Sequence, residues 1–180
     1  MDTKGLRVEN RWRTVVEVFL DQVLLKEPSF CRCDKCRIDV IAIALNSLIP
    51  DYRPAGEPFQ PEEGDYVMVD EAVRKAVTIV KEAPRHDSGA SQSILVNSNE
   101  DLARTVLADA VKHHPSQVWD EARLSWALAY ILNEMGPKYT TTSKGDAYAR
   151  VDEVLPGHLA EVYAIVFNAL KRVEKESSVG

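Results

Sequence analysis

At 180 residues, 45% hydrophobic and 28% charged, the chain can bury one core or two small ones fused, and its composition is that of an ordinary globular protein. Its formal charge of −6 speaks against a general grip on nucleic-acid backbones, which needs a basic face. The start, MDTKGLRVENRW, has no apolar h-region, and no apolar run approaches the roughly 20 residues of a membrane span, so the expectation is a cytoplasmic protein with no membrane partner.

In chain order, Trp12, Val15, Val16, Phe19, Leu20, Val23 and Leu24 fall three and four apart and predict an amphipathic helix over 12–25, closed by Lys26, Glu27 and Pro28. Three cysteines follow as C-x-C-x-x-C at Cys31, Cys33 and Cys36. In a reducing compartment this spacing and odd number favour thiolate ligands over disulfide partners. The next segment, Ile38 to Leu48, is apolar almost all round and ends at Pro50. Periodicity alone leaves it as helix or buried strand. A proline-rich acidic loop covers 53–64, and DYVMV reads as a short strand. Asp70 then caps a helix to about Glu82 with Val73, Ala76, Val77 and Val80 inward.

Small and polar residues over 83–97 read as a linker. Ser98 and Asp101 have the spacing of a capping box, opening a helix whose stripe is Leu102, Val106, Leu107, Ala110 and Val111. A second helix is predicted from Asp120 to Met135, stopped by Gly136 and Pro137. Tyr139 to Val151 reads as a hairpin turning at Ser143 to Asp146. The last helix, 158–174, should bury Leu159, Val162, Tyr163, Val166, Phe167 and Leu170.

A shift of 87 positions lays Val15 to Tyr52 on Leu102 to Tyr139 without a gap, matching Leu20 with Leu107, Pro28 with Pro115, Asn46 with Asn133, Pro50 with Pro137 and Tyr52 with Tyr139. The tripeptide V-D-E also occurs in both halves, at Val69 and at Val151. This reads as a duplication. The second copy of the central segment, LSWALAYILNEM, favours helix, so Ile38 to Leu48 should be helix too. Two such modules should pack about a pseudo-two-fold axis, each as the other's dimer partner.

The run C-x-C-x-x-C-R-x-D-V-x-A-x-A-L-N-x-L-x-P-x-Y from Cys31 to Tyr52 resembles the hallmark of the late competence development ComFB family, and Leu132 to Tyr148 resembles the segment just downstream. The resemblance implies a mainly α chain: two ComFB-like repeats, 8–84 and 98–176, joined by a linker at 85–97 and packed as a pseudo-two-fold dimer with short extended or hairpin segments. It also implies a zinc-stabilised module without catalysis that in some bacteria receives cyclic dinucleotides. Family members are usually single modules. Here the second copy has Val118, Asp120 and Arg123 where the first has Cys31, Cys33 and Cys36, so one metal site is expected.

Three thiolates supply three positions of a tetrahedral structural zinc site. Family members can carry a Cys after the module's last helix, where this chain has His86, ahead of Asp39 with a water molecule and of His113 and His114 as the fourth ligand. Free or redox-active thiols are the competing reading. Thr140 to Gly145 suits a phosphate or an ordinary turn. Arg37 and Asp39 suit a guanine edge or a surface ion pair. Tyr52 and Tyr139 suit base stacking or pinning a loop. The nucleotide-binding candidates are Arg37, Asp39, Tyr52, Lys138, Tyr139, Thr142, Lys144, Tyr148 and Arg150. The sequence carries no G-x-S-x-G, no H-E-x-x-H and no glycine-rich phosphate loop, so no enzyme is expected. The ligand expected is a cyclic dinucleotide. Alternatives are a protein-interaction module that recruits a partner protein and a thiol redox sensor.

Overall fold

The computed structural model describes residues 3–85, 93–113, 119–151 and 155–177. In chain order it contains β1 (Val8–Asn10), α1 (Trp12–Leu25), α2 (Asp34–Ser47), β2 (Tyr52–Pro54), α3 (Glu63–Glu82), β3 (Val96–Asn97), α4 (Asn99–Lys112), α5 (Glu121–Met135), β4 (Tyr139–Thr140), α6 (Ser143–Ala149) and α7 (Pro156–Ser177). The fold is mainly α. None of these helices is long and apolar enough to cross a membrane.

Helices α1, α2 and α3 pack on one another, as do α4, α5 and α7. Each triad encloses its own core, because each helix carries a stripe broad enough to face two neighbours. Val16, Leu20, Val40, Leu45, Val69 and Val73 centre the first core. Leu107, Leu128, Ile131, Leu132, Val166 and Leu170 centre the second.

Each core also takes a tyrosine from the other half. Tyr52 packs with the second core and Tyr139 against the first. Two short antiparallel ladders carry them: β1 on β2 with Asn10 opposite Tyr52, and β3 on β4 with Asn97 opposite Tyr139. The first ladder lies on α5, while β4 lies on α2.

Hydrogen bonds repeat this exchange at the 87-residue shift. The Asn46 side chain donates to the Tyr139 carbonyl at 2.9 Å and accepts from its N–H at 2.7 Å. The Asn133 side chain likewise donates to the Tyr52 carbonyl at 3.0 Å and accepts from its N–H at 2.6 Å. A side-chain amide offers one donor and one acceptor, so it closes both backbone groups of a residue that lacks a strand on that edge.

Several sequence expectations need correction. DYVMV is not a strand. It belongs to α3, which begins at Glu63 rather than at Asp70. The Glu62 N–H donates to the Asp65 carboxylate at 2.9 Å, and helical spacing runs unbroken through buried Val69, Val73, Ala76, Val77 and Val80. The hairpin over 139–151 does not form either. Tyr139–Thr140 pairs with β3, and Ser143–Ala149 is helix because Thr142 Oγ1 caps the Gly145 N–H at 3.0 Å.

Ser98 stands at the start of α4, but its hydroxyl donates to Asp146 at 2.7 Å, and no capping box with Asp101 forms. Val96 and Asn97, within the expected linker, form β3.

The inward residues of α3 and α7 correspond at a shift of 93: Val69, Val73, Ala76, Val77 and Val80 against Val162, Val166, Ala169, Leu170 and Val173, all buried. The six extra positions fall in the stretch that holds α6. The V-D-E correspondence is therefore not structural, since Val69 is fully buried and Val151 is 56% exposed. In α7 Leu159 is exposed, and Ala169 and Val173 join the core.

Candidate functional site

Cys33 precedes α2 in an extended conformation as its N-cap residue, and Cys36 lies in the first turn. An N-cap residue and the residue three positions on share one face of a helix start. With Cys31 just upstream, the three sulfur atoms all lie within 4.8 Å of one another. Cys36 is buried, Cys31 partly so, and Cys33 reaches the surface.

Burial, then the neighbouring Cys33 and Cys31, push the Cys36 thiol up to about 12. A cation that replaces its proton reverses that preference. In a tetrahedral site with metal–sulfur bonds near 2.3 Å the sulfurs sit about 3.8 Å apart, so this donor set fits a thiolate-bound ion.

The second half solves the same local problem without sulfur. Asp120 and Arg123 occupy the positions of Cys33 and Cys36, and the Asp120 carboxylate accepts from the Arg123 N–H at 2.8 Å. A carboxylate cap thus defines the start of α5.

One turn beyond Cys36, Asp39 is buried and fully engaged. The Arg85 guanidinium binds both its carboxylate oxygens, the Nε contact at 3.1 Å. The Thr141 hydroxyl donates to Asp39 at 2.6 Å and accepts from Arg85 at 2.9 Å. This knot joins α2, the segment just after α3 and the β4–α6 turn, and it gives both Asp39 oxygens a protein partner. His113, at the end of α4, lies beside the Asp109 carbonyl at 3.0 Å. Among the described residues the metal-ligating group contains only the three cysteines. His86 and His114 lie outside the described residues.

The nine nucleotide-binding candidates lie on α2, at β2, at β4 and in and around α6. Arg37 pairs with Asp21 at 2.6 Å. Tyr52 and Tyr139 share a hydroxyl–hydroxyl bond of 2.8 Å between the halves. The Lys138 N–H donates to Asn97 at 3.1 Å. Thr142 caps α6, Lys144 lies over the Tyr148 ring at 5.8 Å, and Arg150 pairs with Asp101 and Asp146. Asp39, Thr141 and Thr142 do share a hollow with Lys35 and Arg85, but its volume is only ≈ 30 Å³.

A larger groove of ≈ 640 Å³ lies between β2 of the first half and α5 and α7 of the second. Its walls include Asp51, Arg53, Trp126, Tyr130, Asn133, Glu134 and Arg172. Trp126 and Tyr130 lie with ring centres 5.6 Å apart, and the Arg172 guanidinium stands 3.8 Å from the Tyr130 ring centre. The sequence reading missed this group. An aromatic pair four apart in W-A-L-A-Y was its one visible signal, whereas Arg53 and Arg172 arrive from distant segments.

A family model described as late competence development protein ComFB matches residues 9–84 and again residues 96–177. No curated protein and no solved structure matches the chain.

Proposed function

Because this chain belongs to the late competence development protein ComFB family, twice over in tandem, we propose that it is a non-enzymatic regulatory module of the cytoplasm whose halves serve as each other's dimer partner. The reciprocal Asn46–Tyr139 and Asn133–Tyr52 bonds support that pairing. They repeat one contact in both directions, as a self-complementary two-fold interface joined into one chain would.

Zinc held by Cys31, Cys33, Cys36 and His86 would pin the start of α2. The supporting observation for the fourth ligand is its neighbour: Arg85 is held on Asp39, one turn from Cys36 in the same helix. The ion's role is structural, since four protein ligands leave no open position for substrate.

The regulatory ligand is a cyclic dinucleotide in the groove between β2, α5 and α7. The observation that carries this reading is the Trp126–Tyr130 pair beside Arg53, which Asp51 holds at 2.9 Å, and Arg172, which Glu176 holds at 2.9 Å; the Trp126 ring would stack on a base and each guanidinium would exchange its carboxylate for a phosphate. The groove draws its walls from both halves, so an occupant that prefers one relative placement shifts the whole chain toward it. Calorimetry with cyclic dinucleotides tests the idea. Binding weakened by Trp126→Ala is expected, and no heat at micromolar ligand removes the receptor reading.

A protein-recruiting role is the second reading, favoured by the exposed apolar side chains Tyr148, Val151 and Leu155. Metal analysis separates both from a thiol sensor, which predicts metal-free, fast-reacting cysteines.

A further inference from the structure

A second cavity, ≈ 470 Å³, lies where α1 and α4 begin and is lined by Asn10, Arg13, Tyr52, Asn97, Glu100 and Tyr139, with Glu9 adding a carboxylate. The lining is paired at the 87-residue shift: Asn10 with Asn97, Tyr52 with Tyr139, and Arg13 with Glu100. The last pair carries opposite charges, so the two sides of the cavity are electrically unlike.

The hydrogen bonds around the two tyrosines define what the cavity offers. Asn10 Oδ1 accepts from the Trp12 N–H, and Asn97 Oδ1 accepts from the N–H groups of Asn99 and Lys138. These bonds fix both amides, whose Nδ2 atoms therefore donate to the tyrosines: Asn10 to Tyr139 at 3.2 Å and Asn97 to Tyr52 at 2.9 Å. The two hydroxyls lie 2.8 Å apart. One donates to the other, and the second keeps a proton with no acceptor among the described residues. Either phenol can be that second one, Tyr52 being buried and Tyr139 half-buried, and both line the cavity.

The charged neighbours have matching spare capacity. Arg13 uses Nε for Glu17, leaving its terminal nitrogens without a hydrogen bond among the described residues. Both Arg104 bonds to Glu100 fall on Oε1, leaving Oε2 without one.

We infer that this cavity binds a small zwitterion of the α-amino acid type, its carboxylate taking the spare tyrosine proton and the Arg13 guanidinium, its ammonium meeting Glu100. Each half of the ligand alone meets only one charged side of the cavity, so it gains less than the zwitterion. The inference stands independently of the Trp126 groove.

Titration calorimetry of the full chain with the L-amino acids one by one, with acetate and methylammonium as half-ligands, tests it. At least one amino acid should bind, neither half-ligand should match it, and Arg13→Gln and Glu100→Gln should each weaken binding about tenfold or more, with unfolding midpoints close to that of the parent. Absence of binding by every amino acid at millimolar concentration overturns the inference. So does acetate binding as tightly as the best zwitterion, or unchanged affinity in both variants.

Discussion

Asn133 holds both backbone groups of Tyr52, accepting from its N–H at 2.6 Å and donating to its carbonyl at 3.0 Å, although the two residues belong to different halves. Asn46 does the same for Tyr139 from the other side. Together these bonds tie the halves to each other through backbone atoms, so the tie does not depend on the side chain at 52 or 139.

Asn133→Ala removes one donor and one acceptor and strands two backbone groups of a buried residue, and should cost about 2–3 kcal/mol. Asn46→Ala, whose bonds are the more exposed, should cost about 1 kcal/mol. Urea unfolding of the two variants checks the ranking; a larger loss for Asn46→Ala would contradict it.

Burial, followed by the neighbouring phenol, raises the Tyr52 pKa far above the ordinary tyrosine value of 10.0, and burial raises that of Tyr139. A raised folded-state value means that the stability these groups contribute is intact below pH 10 and falls as pH rises above it, because the unfolded chain gives up the protons more easily. Absorbance titration should find fewer than six tyrosines ionising near pH 10 while the chain stays folded, with Tyr52 the last to titrate. Free reversible ionisation of all six near pH 10 would refute this.

Cys36→Ser should abolish metal uptake and lower the unfolding midpoint, and a chelator should reproduce the loss in the parent but not in the variant. In the second half the corresponding test is Asp120→Ala, which removes the cap at the start of α5 and should cost about 1 kcal/mol with no change in metal content. Elemental analysis beside thermal unfolding reads both; the expected stoichiometry is one ion per chain.

Gly136 ends α5 with φ 77° and ψ 174°, a conformation that side chains resist, and a Cβ there would meet nothing within 4 Å. Gly136→Ala should therefore destabilise by backbone strain alone, about 1–3 kcal/mol. An unchanged midpoint would show that the turn relaxes to negative φ.

Much of this arrangement was readable from the chain. The stripes of α1 and α4 appear as three-and-four spacing, and the ungapped shift of 87 relates residues that the structure pairs across the halves, from Asn46 and Asn133 to Tyr52 and Tyr139. The cysteine cluster was legible because its ligands lie within one turn of a helix start, where sequence spacing is spatial spacing. Where local signals had two outcomes, the reading failed. Thr142 to Asp146 has the residues of a hairpin turn and also of a helix start, and the pairing of Tyr139 with β3, far away in sequence, decided for the helix.

The helical repeats, their duplication and the thiol cluster are written in the order of the residues, since each rests on interactions between near neighbours. Packing of the whole chain sets the rest: the tyrosines cross between cores, Asp39 binds Arg85 and Thr141, and Trp126 and Arg53 share a groove. Those outcomes depend on contacts between groups some 50 to 100 residues apart, such as the 102 that separate Thr141 from Asp39. Which distant groups meet is set by how whole helices pack, and no local pattern carries that information.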